Sequence, residues 1–252
     1  MIKLSVVTVV YNAVEDIEKT IISVANLKSS KVEHLIIDGG SCDGSQDVIK
    51  RYKDRLSVFI SEKDAGIYDA MNKGIDRARG KWILFLNAGD ILTKEFNLSQ
   101  LDLGFLSSKE FIFFSYLIKG QNKVIMPKGT HKFGMPTSHQ AMLISTSMLK
   151  KEKFNSKLRV AADYELYLKR QRDNPDSFFF DNTAIVEVMP GGYSHENLKL
   201  MRNEYQKIIY EFFGIKEAFL YFMWSRRFVF NIAKKVLPKF IFLKLKSMID
   251  SV

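Results

Sequence analysis

Three carboxylates recur at one kind of position in this chain. Asp38 ends the apolar run Leu35-Ile36-Ile37 and leads into Gly39-Gly40-Ser41. Asp64 follows Val58-Phe59-Ile60-Ser61 and precedes Ala65-Gly66, and Asp90 follows Phe85-Leu86 and the low-bulk residues Ala88 and Gly89. If those runs are parallel strands, the three turns meet at one sheet edge, where open α/β sheets bind ligands. A carboxylate there can accept hydrogen bonds from a base imide or a ribose hydroxyl. It can also hold Mg²⁺ or Mn²⁺, which commonly take one or two carboxylates together with phosphate oxygens.

The elements that must position these turns are legible. Lys3–Val10 is β-branched and almost continuously apolar, as in a strand buried on both faces. Val14, Ile17, Ile21, Val24 and Ala25 recur at helical spacing, with Glu15, Asp16 and Glu18 early in the helix. A second strand is predicted over 32–38, a helix opened by Asp43 with Gln46 as capping partner, a third strand over 58–61, a helix over 67–79 stopped by Gly80, and a fourth strand over 81–86. This alternation predicts a doubly wound, mostly parallel sheet. After Asp90 it lapses. Strands are predicted over 111–116, 124–126, 142–145 and 178–188, with helices over 160–172 and 195–213.

Each candidate has a plainer reading. Thr8-Val9-Val10-Tyr11-Asn12 suits a base or ribose, or is an ordinary strand end. Asp38 with its glycines suits a nucleotide, although Asp and Gly are also common turn residues. Asp43 reads as a cap. Asp90 reads equally as a cation ligand or a turn cap. The first turn has no glycine, against a Gly-x-Gly-x-x-Gly dinucleotide fingerprint, and no Walker loop occurs. Phosphates must therefore be neutralised another way, most simply by a divalent cation.

Of the +10 formal charge, the segment from Ile215 to Val252 supplies +6: eight Lys or Arg against Glu217 and Asp250. Its basic residues alternate with Phe219, Tyr221, Phe222, Trp224, Phe228, Phe230, Phe240 and Phe242, a pattern suited to an anionic membrane interface. A helix pair packed on the main domain is the alternative. Nucleic-acid binding would need a motif that is not present. Cys42 is the single cysteine, which excludes an internal disulfide and any zinc site with two cysteine ligands. The N-terminal run reads as a strand rather than a signal peptide, and no apolar run reaches the ~20 residues of a membrane span.

The ordered motifs Thr8–Asn12, Ile37–Gly44, Ser61–Gly74 and Phe85–Asp90 resemble those of bacterial family 2 glycosyltransferases of the GT-A fold. The resemblance is close over residues 3–90. It continues loosely to about Gly192 through Ser138-His139-Gln140 and Ala162-Asp163-Tyr164-Glu165-Leu166. It implies an α/β GT-A nucleotide-diphospho-sugar transferase fold, with a mostly parallel central sheet flanked by helices and a C-terminal helical extension. The implied enzyme is an inverting, metal-dependent hexosyltransferase of capsule, O-antigen or exopolysaccharide synthesis. It would take a nucleotide sugar, usually UDP-linked, and a saccharide or undecaprenyl-pyrophosphate-linked acceptor.

Carried onto this chain, the resemblance gives donor contacts at Thr8, Tyr11, Asn12, Asp38, Asp64, Asn72 and Asp90. Mg²⁺ or Mn²⁺ would sit on Asp90, with His195 as a second candidate ligand. His139 and Gln140 would lie near the sugar or acceptor, and Asp163 would be the general base, with Glu165 as its bland neighbour. The family usually shows Asp-x-Asp or Asp-Asp after the fourth strand, whereas Asn87-Ala88-Gly89-Asp90 has one carboxylate. The expected layout is a catalytic domain over 1–214, divided at residue 90 into nucleotide and acceptor halves, and a membrane-associating extension over 215–252. The expected location is cytoplasmic, at the inner face of the membrane. A non-catalytic nucleotide-sugar-binding protein and, further off, a nucleic-acid-binding protein are the alternatives.

Overall fold

The structure, a computed structural model, describes residues 2–225 other than 103, 122, 130 and 131, together with 238, 241, 243, 244, 246 and 247. Its first part alternates as the sequence predicts: β1 (Leu4–Val10), α1 (Ile17–Ala25), β2 (Val32–Asp38), α2 (Ser45–Arg51), β3 (Val58–Ser61), α3 (Ile67–Arg77) and β4 (Trp82–Phe85). There follow β5 (Ile91–Leu92), β6 (Phe111–Ile118), β7 (Val124–Ile125), β8 (Met142–Ser145), α4 (Thr146–Lys151), α5 (Ala162–Asp173), β9 (Phe178–Val188), α6 (Tyr193–Glu196), α7 (Leu198–Phe213) and α8 (Ile215–Ser225).

The strands form one nine-stranded sheet in the order β3-β2-β1-β4-β8-β6-β9-β5, with β7 beside β6. The first four strands are parallel. Beyond β4 the sheet is mixed, because β8 runs antiparallel to both β4 and β6 while β6 and β9 are parallel. Side chains of β1 and β2 alternate between two buried faces. Val7, Val9, Leu35 and Ile37 join the core that also takes residues of α3, α4, α5, α7 and α8. Ile36 and Val10 face α1 and α2 on the other side.

The register aligns the carboxyl ends of the strands that carry the site. Val10 pairs with Asp38, and Asp38 pairs with Ser61. The turns after β1, β2 and β3 therefore open at one edge. They are stitched together: Asn12 N donates to Ser41 Oγ at 2.8 Å, Cys42 N to Asn12 Oδ1 at 3.0 Å, and Val14 N to Asp43 Oδ2 at 3.0 Å. Asn12 sits at φ 48°, a conformation Asn tolerates better than most residues.

Two boundaries differ from the sequence reading. The helix expected over 195–213 is two helices, α6 and α7, meeting at Asn197. The break expected at 214 is not a break in packing, since Ala218, Leu220 and Tyr221 of α8 are buried in the main core. Tyr221 stacks near Tyr205 and meets Phe133 edge-on. Of the tail aromatics, Phe228, Phe230, Phe240 and Phe242 lie outside the described residues. Among the described residues no helix is long and apolar enough to cross a membrane.

Candidate active site

An open cavity of about 810 Å³ lies over the carboxyl ends of β1, β2 and β3. Its walls include Val10 and Tyr11 from the first turn, Gly39 and Gly40 from the second, Lys63–Tyr68 from the third, and Asn87 and Ala88 after β4. Ser156, Leu158 and Arg159 come from the segment before α5, and Gly192 and Tyr193 from the start of α6. Tyr11 is 68% exposed, so its ring offers a free stacking surface.

Gly39 makes the close approach at this end possible. A Cβ there would stand 2.4 Å from Asp64 Oδ2 and 3.4 Å from the Tyr11 ring. The Asp64 carboxylate thus lies directly over the Gly39 backbone, next to Tyr11. Its other oxygen accepts the Gly66 amide at 2.9 Å. The N-terminus of α3 opens on the same cavity, where its amide groups and dipole favour an anion.

Asp38 is placed otherwise than expected. It is fully buried, and its carboxylate accepts Gly40 N at 3.2 Å, Ser41 N at 3.1 Å and the Ser61 hydroxyl at 2.6 Å, with the Ser41 hydroxyl besides. It shapes the glycine turn rather than lining the cavity. Thr8 and Asn72 are likewise turned to the fold: Thr8 Oγ1 meets His34 Nε2 at 2.9 Å, and the Asn72 amide bonds Phe154 O and N at 2.9 and 3.0 Å. Asn12 serves the stitching between turns. None of these four lines the cavity.

Asp90 departs furthest from expectation. It is 2% exposed, and its two oxygens accept backbone amides, Oδ1 from Met189 at 2.8 Å and Oδ2 from Asn87 at 3.2 Å. Burial pushes its pKa up to about 6, against the pull of Met189 N–H, the Gln140 side chain and Asn87 N–H. Gln140 therefore serves Asp90 and is itself buried. His195 lies in α6, and its side chain is outside the described residues. Among the described residues no three His, Cys, Asp or Glu side chains are grouped to hold an ion. Among the described residues, the Asp90 carboxylate, spent on two backbone amides, does not fit a divalent metal.

The second cluster lies beside the cavity. Tyr68 lines the cavity and also a small void of about 20 Å³ shared with His139, Phe154 and Asp163. Asp163 sits in the first turn of α5 and is only partly buried. Its Oδ1 accepts the Tyr68 hydroxyl at 2.8 Å and Tyr164 N at 2.9 Å, while Oδ2 has no partner among the described residues. Burial, with the Asp163 charge adding, holds the Tyr68 hydroxyl well above the usual phenol range, so it stays a donor. His139 Nε2 lies 3.2 Å from Asn87 Nδ2, and burial lowers its pKa against the opposing charge of Asp163. A neutral imidazole thus stands beside a carboxylate with one open oxygen, next to a cavity lined by Tyr11, Lys63 and Arg159.

Sequence reasoning missed Lys63, Tyr68, Ser156, Arg159 and Tyr193. Lys63 and Tyr68 stand inside the Ser61–Gly74 motif and were within reach. Ser156 and Arg159 lie in an irregular segment and Tyr193 opens the four-residue α6, with no periodicity or motif to mark them.

A family model described as Glycosyl transferase family 2 matches residues 5–153. TuaG of Bacillus subtilis, assigned as a glycosyltransferase of teichuronic acid biosynthesis, is 32% identical over 130 residues, which are 50% of this chain and 52% of that protein. An uncharacterized glycosyltransferase of Mycobacterium tuberculosis is 37% identical over 87 residues, 34% of this chain and 33% of that protein. The chain thus spans about half the length, or less, of these curated relatives. Among solved structures, Staphylococcus aureus TarS 1-349 in complex with UDP aligns with a TM-score of 0.64 at 18% identity, covering 94% of this chain and 76% of that one. Glucosyl-3-phosphoglycerate synthase of Mycobacterium tuberculosis, with Mn²⁺, UDP and phosphoglyceric acid, aligns with a TM-score of 0.61 at 15% identity over 84% of this chain and 79% of that one.

Proposed function

The chain belongs to glycosyl transferase family 2 and has the GT-A fold, and from that premise we propose that it moves a sugar from a UDP-linked donor to a saccharide or lipid-linked saccharide, with inversion. One observation carries this reading. The cavity runs past the exposed Tyr11 ring, Gly39 and Asp64 to Tyr68, which is shared with a carboxylate with an open oxygen at Asp163. In this reading the uracil stacks on Tyr11 and the nucleoside bonds Asp64. The acceptor hydroxyl attacks the anomeric carbon from the side of Asp163, which takes its proton. The bond to the diphosphate oxygen breaks with its electron pair and UDP departs. His139 and Asn87 would border the sugar.

Mn²⁺ is named in the structure of the synthase neighbour. No step is assigned to a metal here, because Asp90 is committed to its own turn. The UDP and UDP-sugar complexes of TarS favour a uridine donor, and the likeness to TuaG favours a role in surface polysaccharide synthesis. Residues 1–214 would carry the catalysis, with α8 packed on them and the basic segment beyond it holding the enzyme at an anionic membrane. The test is turnover: incubation with a panel of nucleotide sugars and a lipid-linked oligosaccharide fraction should release free UDP. No UDP release from any donor would overturn the reading.

A further inference from the structure

We propose that Lys63 and Arg159 neutralise the donor diphosphate directly, in the place a divalent cation was expected to fill. The inference rests on the donor reading above and goes beyond it to the way the leaving group is held. Its basis is the charge of the cavity. Among the described residues, the charged ones that line it are Lys63, Asp64 and Arg159, two cations against one carboxylate. A divalent ion here would need one or two free carboxylates to share with the donor phosphates. Asp163, beside the cavity, brings the site to two cations against two carboxylates, and its open oxygen is kept for the acceptor in the reading above. Both other carboxylates at the sheet edge are spent: Asp38 holds the glycine turn and Asp90 holds Met189 N and Asn87 N.

The two cations are also available. Lys73, Lys153, Arg79 and Arg170 all have carboxylate partners. Lys63 and Arg159 make no ion pair among the described residues, and both are exposed to the cavity. Arg159 is also held at its base. Its backbone N donates to Glu204 Oε1 at 2.9 Å, and Val160 N donates to Glu204 Oε2 at 3.0 Å, so α7 clamps the segment that presents the guanidinium. Glu204 accepts these two amides and makes no ion pair among the described residues.

The chemistry closes without a metal. As the anomeric C–O bond breaks, its electron pair moves onto the terminal phosphate of the nucleoside diphosphate. A guanidinium fork can bind two non-bridging oxygens at once, and a lysine adds a point charge. Cations fixed where charge develops stabilise the leaving group as it forms.

The experiment is calorimetric titration of the full chain with UDP and with uridine, in EDTA and in Mn²⁺, for the wild type, Lys63→Ala, Arg159→Ala and the double variant. The wild type should bind UDP equally in EDTA and in Mn²⁺. Arg159→Ala should lose roughly 10- to 100-fold in UDP affinity, the scale of charge-assisted hydrogen bonds. Uridine affinity should not change, Arg159→Lys should recover part of the loss, and the double variant should be weakest. Wild-type UDP affinity that collapses in EDTA and returns with Mn²⁺ overturns the proposal. So do variants that bind UDP like the wild type, or that lose uridine and UDP alike. A wild type that binds neither uridine nor UDP in any buffer defeats the donor reading itself, and this inference with it.

Discussion

The hydroxyl of Tyr68 donates to Oδ1 of Asp163 at 2.8 Å, tying the first turn of α3 to the first turn of α5 across 95 residues of sequence. One oxygen of the carboxylate is fixed and the other is left open. Tyr68 thus aims Asp163 without itself receiving a proton. Replacing it by Phe should lower kcat by roughly tenfold, the scale of one hydrogen bond to a charged group. UDP affinity should stay as it was. A variant with unchanged kcat and weakened UDP binding would show that Tyr68 serves the donor instead.

Gly39 lets the Asp64 carboxylate lie against its backbone by lacking a side chain. Gly39→Ala would put a methyl group 2.4 Å from Asp64 Oδ2. The carboxylate is the movable end of a side chain, so it swings away and the fold survives. UDP affinity should fall by roughly tenfold or more, as expected when a positioning group is displaced by an ångström. The melting temperature should barely move. Thermal melts and titrations on the same sample check both, and unaltered UDP affinity would take Asp64 out of the donor site.

Two buried groups give stability an unusual pH dependence. His34 is buried against Thr8, and burial lowers its pKa to about 3 from 6.5. The unfolded chain takes up that proton first, so His34 costs stability as pH falls from 6.5 towards 3. Asp90 works in the opposite sense. Its pKa rises from 3.8 to about 6, so the folded state binds the proton first and gains stability as pH falls through 6 towards 3.8. Each contributes at most about 1.4 kcal/mol per pH unit in its window. The two offset each other between pH 6 and 4. His34→Gln should therefore gain stability on acidification relative to wild type, and Asp90→Asn should lose it more steeply. Melting temperatures across pH 4–8 read both, and parallel curves for all three proteins would refute the assignment.

Much of this was legible in the sequence, for a physical reason. Strands buried on both faces, such as Val6–Val10 and Leu35–Asp38, leave a continuous apolar signature, and helices between them leave a 3.6-residue one. The parallel half and its binding edge follow from that. The direction of each carboxylate does not. Asp38, Asp64 and Asp90 occupy similar positions after similar strands, yet one shapes a turn, one lines the cavity and one is buried. Hydrogen bonds from Ser61, Gly66 and Met189 decide among them. Met189 is 99 residues from Asp90, and no local pattern encodes that contact. Arg159 was invisible for the same reason, since Glu204, 45 residues on, is what holds its segment in place.

A truncation that tests membrane attachment has to fall beyond α8. Removing everything after Gly214 would strip Leu220 and Tyr221 from the core. A chain ending at Ser225 keeps them. It should bind UDP as the full chain does yet lose affinity for vesicles containing anionic lipid. Salt should weaken attachment of the full chain, because exposed charges are screened beyond about 8 Å at physiological ionic strength. Co-sedimentation with anionic and neutral vesicles measures this, and equal binding by the two chains would place any membrane contact elsewhere.

The most direct test is Asp163→Asn, compared with wild type for donor affinity and for acceptor-dependent release of UDP. The substitution keeps the shape and the Tyr68 contact and removes the proton acceptor. Donor affinity should be unchanged while UDP release falls by roughly 10²- to 10⁴-fold, the range of general-base contributions. An Asn variant that releases UDP at the wild-type rate would contradict the account.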